Sequence, residues 1–161
     1  MLPTITVDIG TTSVKTCLFD ADARLLASAS APTPTRADAW GEVYDPEALV
    51  ALVVDFARGL DAKGRATVER VAITGVGESG GLVRPDATLA SPQVLWHDHR
   101  GADRLAMLGA AERKRVYEVT GLPVNANYGL SKVAWAVEHA GSGVSGAQWL
   151  NVAEWLAATM T

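Results

Sequence analysis

The first segment whose residue types could carry chemistry runs from Asp8 to Lys15. A carboxylate at a strand end, a Gly-Thr-Thr-Ser turn and a lysine on the returning strand suit the phosphates of a magnesium nucleotide. Glycine lets backbone N–H groups approach the oxygens, the hydroxyls add donors, and the carboxylate can hold the metal through water. A plain hairpin explains a polar turn, but not the acid at the end of a β-branched strand. Our candidates are Asp8 for the metal and, for the phosphates, Gly10, Thr11, Thr12, Ser13 and Lys15.

A glycine-rich segment, 75 to 80, matches the pattern G-x-G-x-x-G directly after a predicted strand. That pattern binds a dinucleotide only when a helix begins inside it and faces the pyrophosphate. The chain continues instead as residues 81 to 84, which are typical of a strand, and we reject a nicotinamide-dependent function. Glu78, with Ser79 beside it, is a candidate for contacting a polar ligand, and a solvated loop acid explains it equally well.

Two aromatic and polar segments downstream could contact a sugar. In the first, residues 96 to 100, two histidines flank Asp98, but the remaining histidine lies on a predicted helix and no cysteine is near, so zinc is poorly supported. The Trp96 ring offers an apolar face to C–H groups, with Asp98 and Arg100 as polar contacts. A surface turn is the simpler alternative. The second is the loop from 122 to 128, where Asn127 and Tyr128 could face a ligand or could only pack a helix entry.

These segments need secondary structure that places them. Alternation of apolar and polar residues predicts a half-buried strand over 4–9. Strands over 13–19 and 24–30 follow connections too short for a crossover, so the sheet should open with antiparallel neighbours. Asp45 as N-cap and Pro46 at the first helical position then predict a helix whose apolar face covers the sheet.

The second half of the sequence predicts shorter elements. Strands are expected at 68–74, 81–84 and 93–96. Helices are expected at 100–109, 111–120 and 130–140, with a last one beginning at the Asn151 and Glu154 capping box. The whole predicts an α/β fold with a mixed sheet that opens with antiparallel strands and is flanked by helices.

Composition limits the classes of function. The chain has 161 residues, 14 Lys+Arg against 18 Asp+Glu and a formal charge of −4, which gives no footprint for nucleic acid or an anionic membrane. Its apolar runs are too short to span a bilayer. The single cysteine, Cys17, cannot form an internal disulfide and no secretory leader is visible, so we expect a cytoplasmic protein.

Six segments, in order, resemble the N-terminal part of the FGGY family of carbohydrate kinases, which includes glycerol, xylulose and gluconate kinases. Each motif is weak alone, but together they cover nearly the whole chain. They are Asp8-Ile9-Gly10-Thr11-Thr12-Ser13, Gly41-Glu42-Val43-Tyr44-Asp45-Pro46, Trp96-His97-Asp98-His99-Arg100, Thr120-Gly121-Leu122-Pro123, Ser131-Lys132-Val133-Ala134-Trp135 and Asn151-Val152-Ala153-Glu154-Trp155-Leu156.

The resemblance implies the actin-like, ribonuclease H-like ATPase fold, with the sugar and Mg-ATP bound in a cleft between two such domains. It implies that Asp8 lies by the metal, that residues 11–13 face the phosphates and that Lys15 is the basic residue of the second strand. Trp96 matches a sugar-packing tryptophan, and Asn127 falls where glycerol kinase-like members use a tyrosine. Those members also carry Arg-Glu where this chain has Gly77-Glu78.

Family members are much longer than this chain. The resemblance therefore implies that residues 1–161 are the N-terminal portion of the first domain, incomplete and without the C-terminal domain, and that the general base lies beyond residue 161. We expect an ATP- and Mg²⁺-dependent kinase of a sugar or polyol whose 161-residue part does not turn over alone. The alternative is a non-catalytic, truncated protein that binds a polyol or a partner, self-association included. The sequence does not name the sugar.

Overall fold

The computed structural model describes residues 3–61 and 68–161. The strands are β1 (Thr4–Ile9), β2 (Ser13–Phe19), β3 (Leu25–Pro32), β4 (Thr35–Ala37), β5 (Glu42–Tyr44), β6 (Arg70–Gly75), β7 (Gly80–Val83) and β8 (Gln148–Asn151). The α-helices are α1 (Pro46–Asp61), α2 (Ala102–Ala106), α3 (Ala110–Thr120), α4 (Gly129–His139) and α5 (Val152–Thr159), and a short 3₁₀ helix spans Gly141–Val144.

The main sheet has four strands in the order β3-β2-β1-β6. The first three strands are antiparallel neighbours, as predicted, and β6 lies parallel to β1 after the α1 crossover. The sheet is therefore mixed, which confirms the predicted fold class. Pro32 ends β3 at the sheet edge, where its missing N–H costs no ladder hydrogen bond.

One face of the sheet forms the core. Alternate residues of β1 and β2 are buried, and they pack with apolar residues of α1 and α5. The face of β1 and β2 that carries Asp8 and Lys15 is open to solvent at those positions. Asp45 caps α1 as expected, because its Oδ1 accepts a hydrogen bond from the N–H of Ala48 at 3.1 Å.

Two small antiparallel pairs, β4-β5 and β7-β8, lie beside the main sheet. The sequence predicted β7, which the turn Arg84-Pro85-Asp86 closes, but not β4, β5 or β8, because strands of three or four residues are too short to show a period by themselves. The predicted strand over 93–96 is wrong: only Val94 forms bridges, one to Val43 and one to Gly80. Val94 thereby joins the two pairs, and the chain turns away immediately after it.

The remaining helices largely follow their predicted positions. The predicted helix over 100–109 shortens to α2, because Gly101 takes a left-handed backbone conformation (φ 80°) and Gly109 is extended. The α5 capping box is confirmed on one side, where the Asn151 N–H donates to Glu154 Oε2 at 2.7 Å. Across the described ranges, 3–61 and 68–161, we find no helix with the length and apolarity that a bilayer span requires.

Candidate functional site

The Gly10–Ser13 turn connects β1 to β2 through three residues, Gly10, Thr11 and Thr12. The Gly10 N–H donates to Ser13 O at 3.0 Å, and a Cβ on Gly10 would lie 2.9 Å from the same carbonyl oxygen, so the turn requires glycine there. Thr33 holds the turn from outside: its hydroxyl donates to Gly10 O at 2.8 Å and its N–H donates to Thr12 O at 3.1 Å. The side chains of Thr11 and Thr12 stay exposed to solvent.

Asp8 and Lys15 face each other across β1 and β2 next to this turn. Their Cα positions are partners in the antiparallel register, so both side chains lie on the same, exposed face. Within the described parts of the chain neither side chain has a hydrogen bond or an ion pair. A solvated carboxylate and ammonium beside a ring of hydroxyls leave donors and acceptors free for a metal-bound phosphate.

Glu78 lies at the same edge of the sheet. The carboxyl ends of the parallel strands β1 and β6 meet there, and the Val76 N–H donates to Ile9 O at 2.9 Å. Open α/β sheets bind ligands at this edge. Gly80 begins strand β7 rather than a helix, which confirms that the glycine pattern is not a dinucleotide fingerprint. Glu78 itself has a positive φ of 61°, a conformation that side chains larger than glycine seldom adopt.

Trp96 connects the Gly10–Ser13 turn to the candidate sugar residues. Its indole Nε1–H donates a hydrogen bond to Thr11 Oγ1 at 3.2 Å, across 85 residues of sequence. A hydroxyl has two acceptor lone pairs and one donor, so Thr11 keeps its own proton for another acceptor. The Trp96 side chain is half-buried, and its contact with a sugar stays a prediction.

Asp98 is engaged by Arg100. Asp98 Oδ2 accepts from the guanidinium at 2.9 Å (Nε) and 2.7 Å (Nη2), and Oδ1 accepts from the Arg100 N–H at 2.7 Å. Asp38 accepts from the other guanidinium nitrogen at 3.0 Å. The guanidinium also lies 4.7 Å from the centroid of the Trp135 ring. Asp98 thus stabilises the 96–100 turn through its hydrogen bonds to Arg100. Its contact with a substrate stays a prediction.

The contacts of Arg100 and Asp38 shift the pKa of each group toward its charged form. Burial by itself would lower the pKa of Arg100, but hydrogen bonds and charges from Asp98 and Asp38 raise it above its ordinary value. Burial would raise the pKa of Asp38, and the Arg100 and Trp40 hydrogen bonds outweigh this effect and lower it below 3.8. Both groups therefore stay ionised near neutral pH.

Hydrogen bonds of Asn127 and Glu78 join the remaining segments of the candidate site. Asn127 Oδ1 lies 2.7 Å from His99 Nε2, which joins the 122–128 loop to the turn that carries Trp96. Glu78 Oε2 accepts a hydrogen bond from the Gly129 N–H, at the first residue of α4. The three segments therefore form one connected surface, although their roles toward a ligand stay predictions.

Ser79 lies behind this surface rather than on it. Its side chain is fully buried, and neither its hydroxyl nor that of Tyr44 has a regular hydrogen bond among the described residues. Burial raises the pKa of Tyr44, and Ser79 opposes that rise from close by. Sequence reasoning also assigned no role to Thr33, Asp38 or Lys132. Of these, only Lys132 was part of a recognised motif.

Comparison with known proteins agrees with this geometry. Residues 4–161 match the model of the FGGY family of carbohydrate kinases, N-terminal domain. Over 154 residues the chain is 30% identical to the glycerol kinase of Rhodospirillum centenum, a match that covers 89% of this chain and 29% of that protein. A glycerol kinase of Bradyrhizobium diazoefficiens is matched over 28% of its length. The chain thus spans less than a third of the length of these curated relatives.

Solved structures show the same fold. The ligand-bound xylulose kinase from Lactobacillus acidophilus superposes with a TM-score of 0.77 at 22% identity, over 96% of this chain and 32% of that one. Plasmodium falciparum glycerol kinase with ADP gives a TM-score of 0.78 at 16% identity, over 96% and 33%. The actin-like, ribonuclease H-like fold is therefore confirmed. The family match, which extends over nearly every residue, shows that the chain belongs to the FGGY family of carbohydrate kinases.

Proposed function

We propose that this chain provides the phosphate- and sugar-binding part of an ATP-dependent kinase that acts on a hydroxyl of a sugar or polyol. One observation carries the proposal: the Trp96 indole N–H bonds the Thr11 hydroxyl, so a sugar-packing ring adjoins a phosphate turn. Phosphoryl transfer requires the attacking hydroxyl close to the γ-phosphorus and in line with the leaving oxygen. The Trp96–Thr11 hydrogen bond supports the proposal because it holds the two candidate subsites next to each other.

The residues of the turn divide the phosphate contacts among them. The Thr11 hydroxyl donates to a phosphate oxygen while its lone pair receives the Trp96 N–H. Lys15 adds positive charge beside the turn, and Asp8 would hold Mg²⁺ directly or through water. When bound there, the ion would neutralise charge that develops on the transferring phosphoryl group.

Phosphate transfer then proceeds with one bond formed and one broken. The substrate oxygen attacks the γ-phosphorus, the bond from that phosphorus to the β-phosphate oxygen breaks, and ADP leaves. The hydroxyl proton must pass to a base. Asp98 is paired with Arg100, and neither Asp98 nor Glu78 matches the base position of the family, so we place the base outside residues 1–161. On this proposal the 161-residue part alone binds but does not turn over, and the enzyme works in the cytoplasm.

The test is a panel of sugars and polyols assayed with Mg-ATP, using the natural protein after its intact mass has been compared with 16.9 kDa. Asp8→Asn should lower kcat roughly 100-fold or more, because it weakens electrostatic stabilisation at the transferring group. Asp22→Asn, at the exposed β2–β3 turn, is the matched control and should leave the rate unchanged. A heavier natural protein that phosphorylates no member of the panel would contradict the proposal, as would equal rates in the two variants. A mass of 16.9 kDa without turnover would instead favour a non-catalytic binding protein.

A further inference from the structure

Lys132 is a fully buried cation whose hydrogen bonds all go to one loop. Its side chain has no solvent exposure. Its Nζ donates to the carbonyl oxygens of Ala126 (3.1 Å), Asn127 (2.9 Å) and Tyr128 (3.4 Å). An ammonium group has three donors and no acceptor, so these three carbonyls use its full capacity. Within the described residues it has no ion-pair partner.

Keeping this ammonium charged requires nearby negative charge. Burial lowers the pKa of Lys132, while the charges of Glu78 and Asp98 act in the opposite direction. A buried charge is costly unless hydrogen bonds and opposite charges compensate it. Glu78 and Asp98 both belong to the segments that carry the candidate sugar contacts, so the charges that favour the protonated form of Lys132 come from those segments.

Lys132 supplies the only charged donor to the backbone of this loop among the described residues, where the other hydrogen bonds involve Ser131 and, within the loop, Asn125. An open cleft of about 390 Å³ lies against it, with Leu122, Asn125 and Tyr128 among its lining residues. Packing therefore does not fix the loop from that side. The 126–128 carbonyls all converge on a single ammonium, so one side chain fixes three successive backbone positions at once.

Two site residues depend on the position of this loop. Asn127, in the middle of the loop, reaches His99. Gly129, the next residue after the loop, donates its N–H to the Glu78 carboxylate. A displacement of the loop would thus move Asn127 and free Glu78 together.

We propose that Lys132 is a positioning residue: its ammonium fixes the 126–128 loop, and through that loop it sets Asn127 and the Glu78 carboxylate in place on the sugar side of the site. The inference rests on the proposed function only in naming a sugar as the ligand, and the loop contacts stand independently of it. A lysine that serves only core stability would leave the order of this loop and the affinity for sugar unchanged when replaced by a folded variant.

The experiment compares Lys132→Met with Ser131→Ala in the natural protein. Ser131 is the matched control, because its buried hydroxyl bonds two of the same carbonyls, Ala126 O at 3.2 Å and Tyr128 O at 3.4 Å, without a charge. Amide hydrogen exchange at Tyr128 and Gly129 reports loop order. We expect Lys132→Met to speed exchange there by roughly tenfold or more relative to the control, since local opening sets the rate.

Kinetics supply the second measurement. We expect Lys132→Met to raise KM for the sugar about tenfold or more while KM for ATP changes less than about twofold, because in the part of the chain that the structure describes no hydrogen bond joins the Gly10–Ser13 turn to residues 126–128. The ammonium signal of Lys132 in a ¹H–¹⁵N spectrum of the wild-type protein is the third measurement. It should be protected from exchange with water, and it needs no variant to fold.

Each result decides a separate point. A wild-type Lys132 ammonium that exchanges freely, or unchanged exchange at Gly129 in a folded Lys132→Met protein, overturns the positioning role. Faster loop exchange with an unchanged sugar KM overturns its link to the substrate. A wild-type protein that phosphorylates no sugar refutes the proposed function instead, and the exchange data then support or overturn the loop contact alone.

Discussion

Replacing Arg100 by Met should destabilise the fold more than any single surface change. The side chain of Arg100 is 3% exposed. The substitution keeps an unbranched apolar side chain and removes the guanidinium. Asp98 (12% exposed) and Asp38 (18%) then lose their shared partner. The ring of Trp135 also loses the cation above it.

The magnitude follows from the burial of the pair. Removing one partner of a buried ion pair costs about 3–5 kcal/mol, because the other charge stays buried without compensation. For a chain of this size each kcal/mol lowers Tm by about 2–4 °C, which gives a fall of roughly 6–20 °C. Arg100→Lys should lose less, since the ammonium keeps the charge but cannot bond Asp98 with two nitrogens and Asp38 with a third.

The assay is urea unfolding followed by circular dichroism, with Arg104→Met as the matched control. Arg104 pairs with Glu138 on the surface, where the two side chains are 46% and 48% exposed. Exposed pairs contribute about 0–1 kcal/mol, so this variant should unfold close to wild type. If Arg100→Met costs no more than Arg104→Met, burial does not govern the strength of the pair and the reasoning above is wrong.

Three further predictions concern the backbone, the acid limit and a buried hydroxyl. Gly101 and Gly121 both have positive φ (80° and 72°), but of these two only Gly101 would bring a Cβ close to another atom, Ser131 O at 2.2 Å. Gly121→Ala should therefore cost about 1–2 kcal/mol of unfolding free energy, and Gly101→Ala should cost clearly more. Equal costs in urea titrations would contradict this. Burial alone would raise the pKa of Asp38, but its hydrogen bonds lower it, so its contribution to stability is present above pH 3.8 and is lost as the pH falls from there through the lower folded pKa. Asp38→Asn should accordingly be less stable than wild type at neutral pH and approach it in acid, whereas a gap independent of pH would contradict the ion pair. Tyr44→Phe removes a buried hydroxyl that has no regular partner among the described residues, so thermal melting should show no loss or a gain of up to about 1 kcal/mol; a loss of similar size would mean that the hydroxyl is hydrogen-bonded in solution.

Local pattern was enough to predict much of the fold. Alternation identified β1 and β2, short connections required that they be antiparallel, and Asp45-Pro46 marked the start of α1. These features depend on residues within a few positions of one another, so spacing alone reports them. The short strands β4, β5 and β8 gave no such signal, because their hydrogen bonds rather than their periodicity define them.

The candidate site divides along the same line. The sequence by itself determined which side chains are available, including the hydroxyls and carboxylate around Gly10 and the tryptophan at 96. Only the tertiary structure decided that Trp96 meets Thr11 across 85 residues, that Arg100 reaches Asp38 across 62 and that Glu78 meets Gly129 across 51. Such contacts depend on which distant segments are buried together, and burial of Lys132 against a loop is likewise a property of the folded chain that no local spacing records.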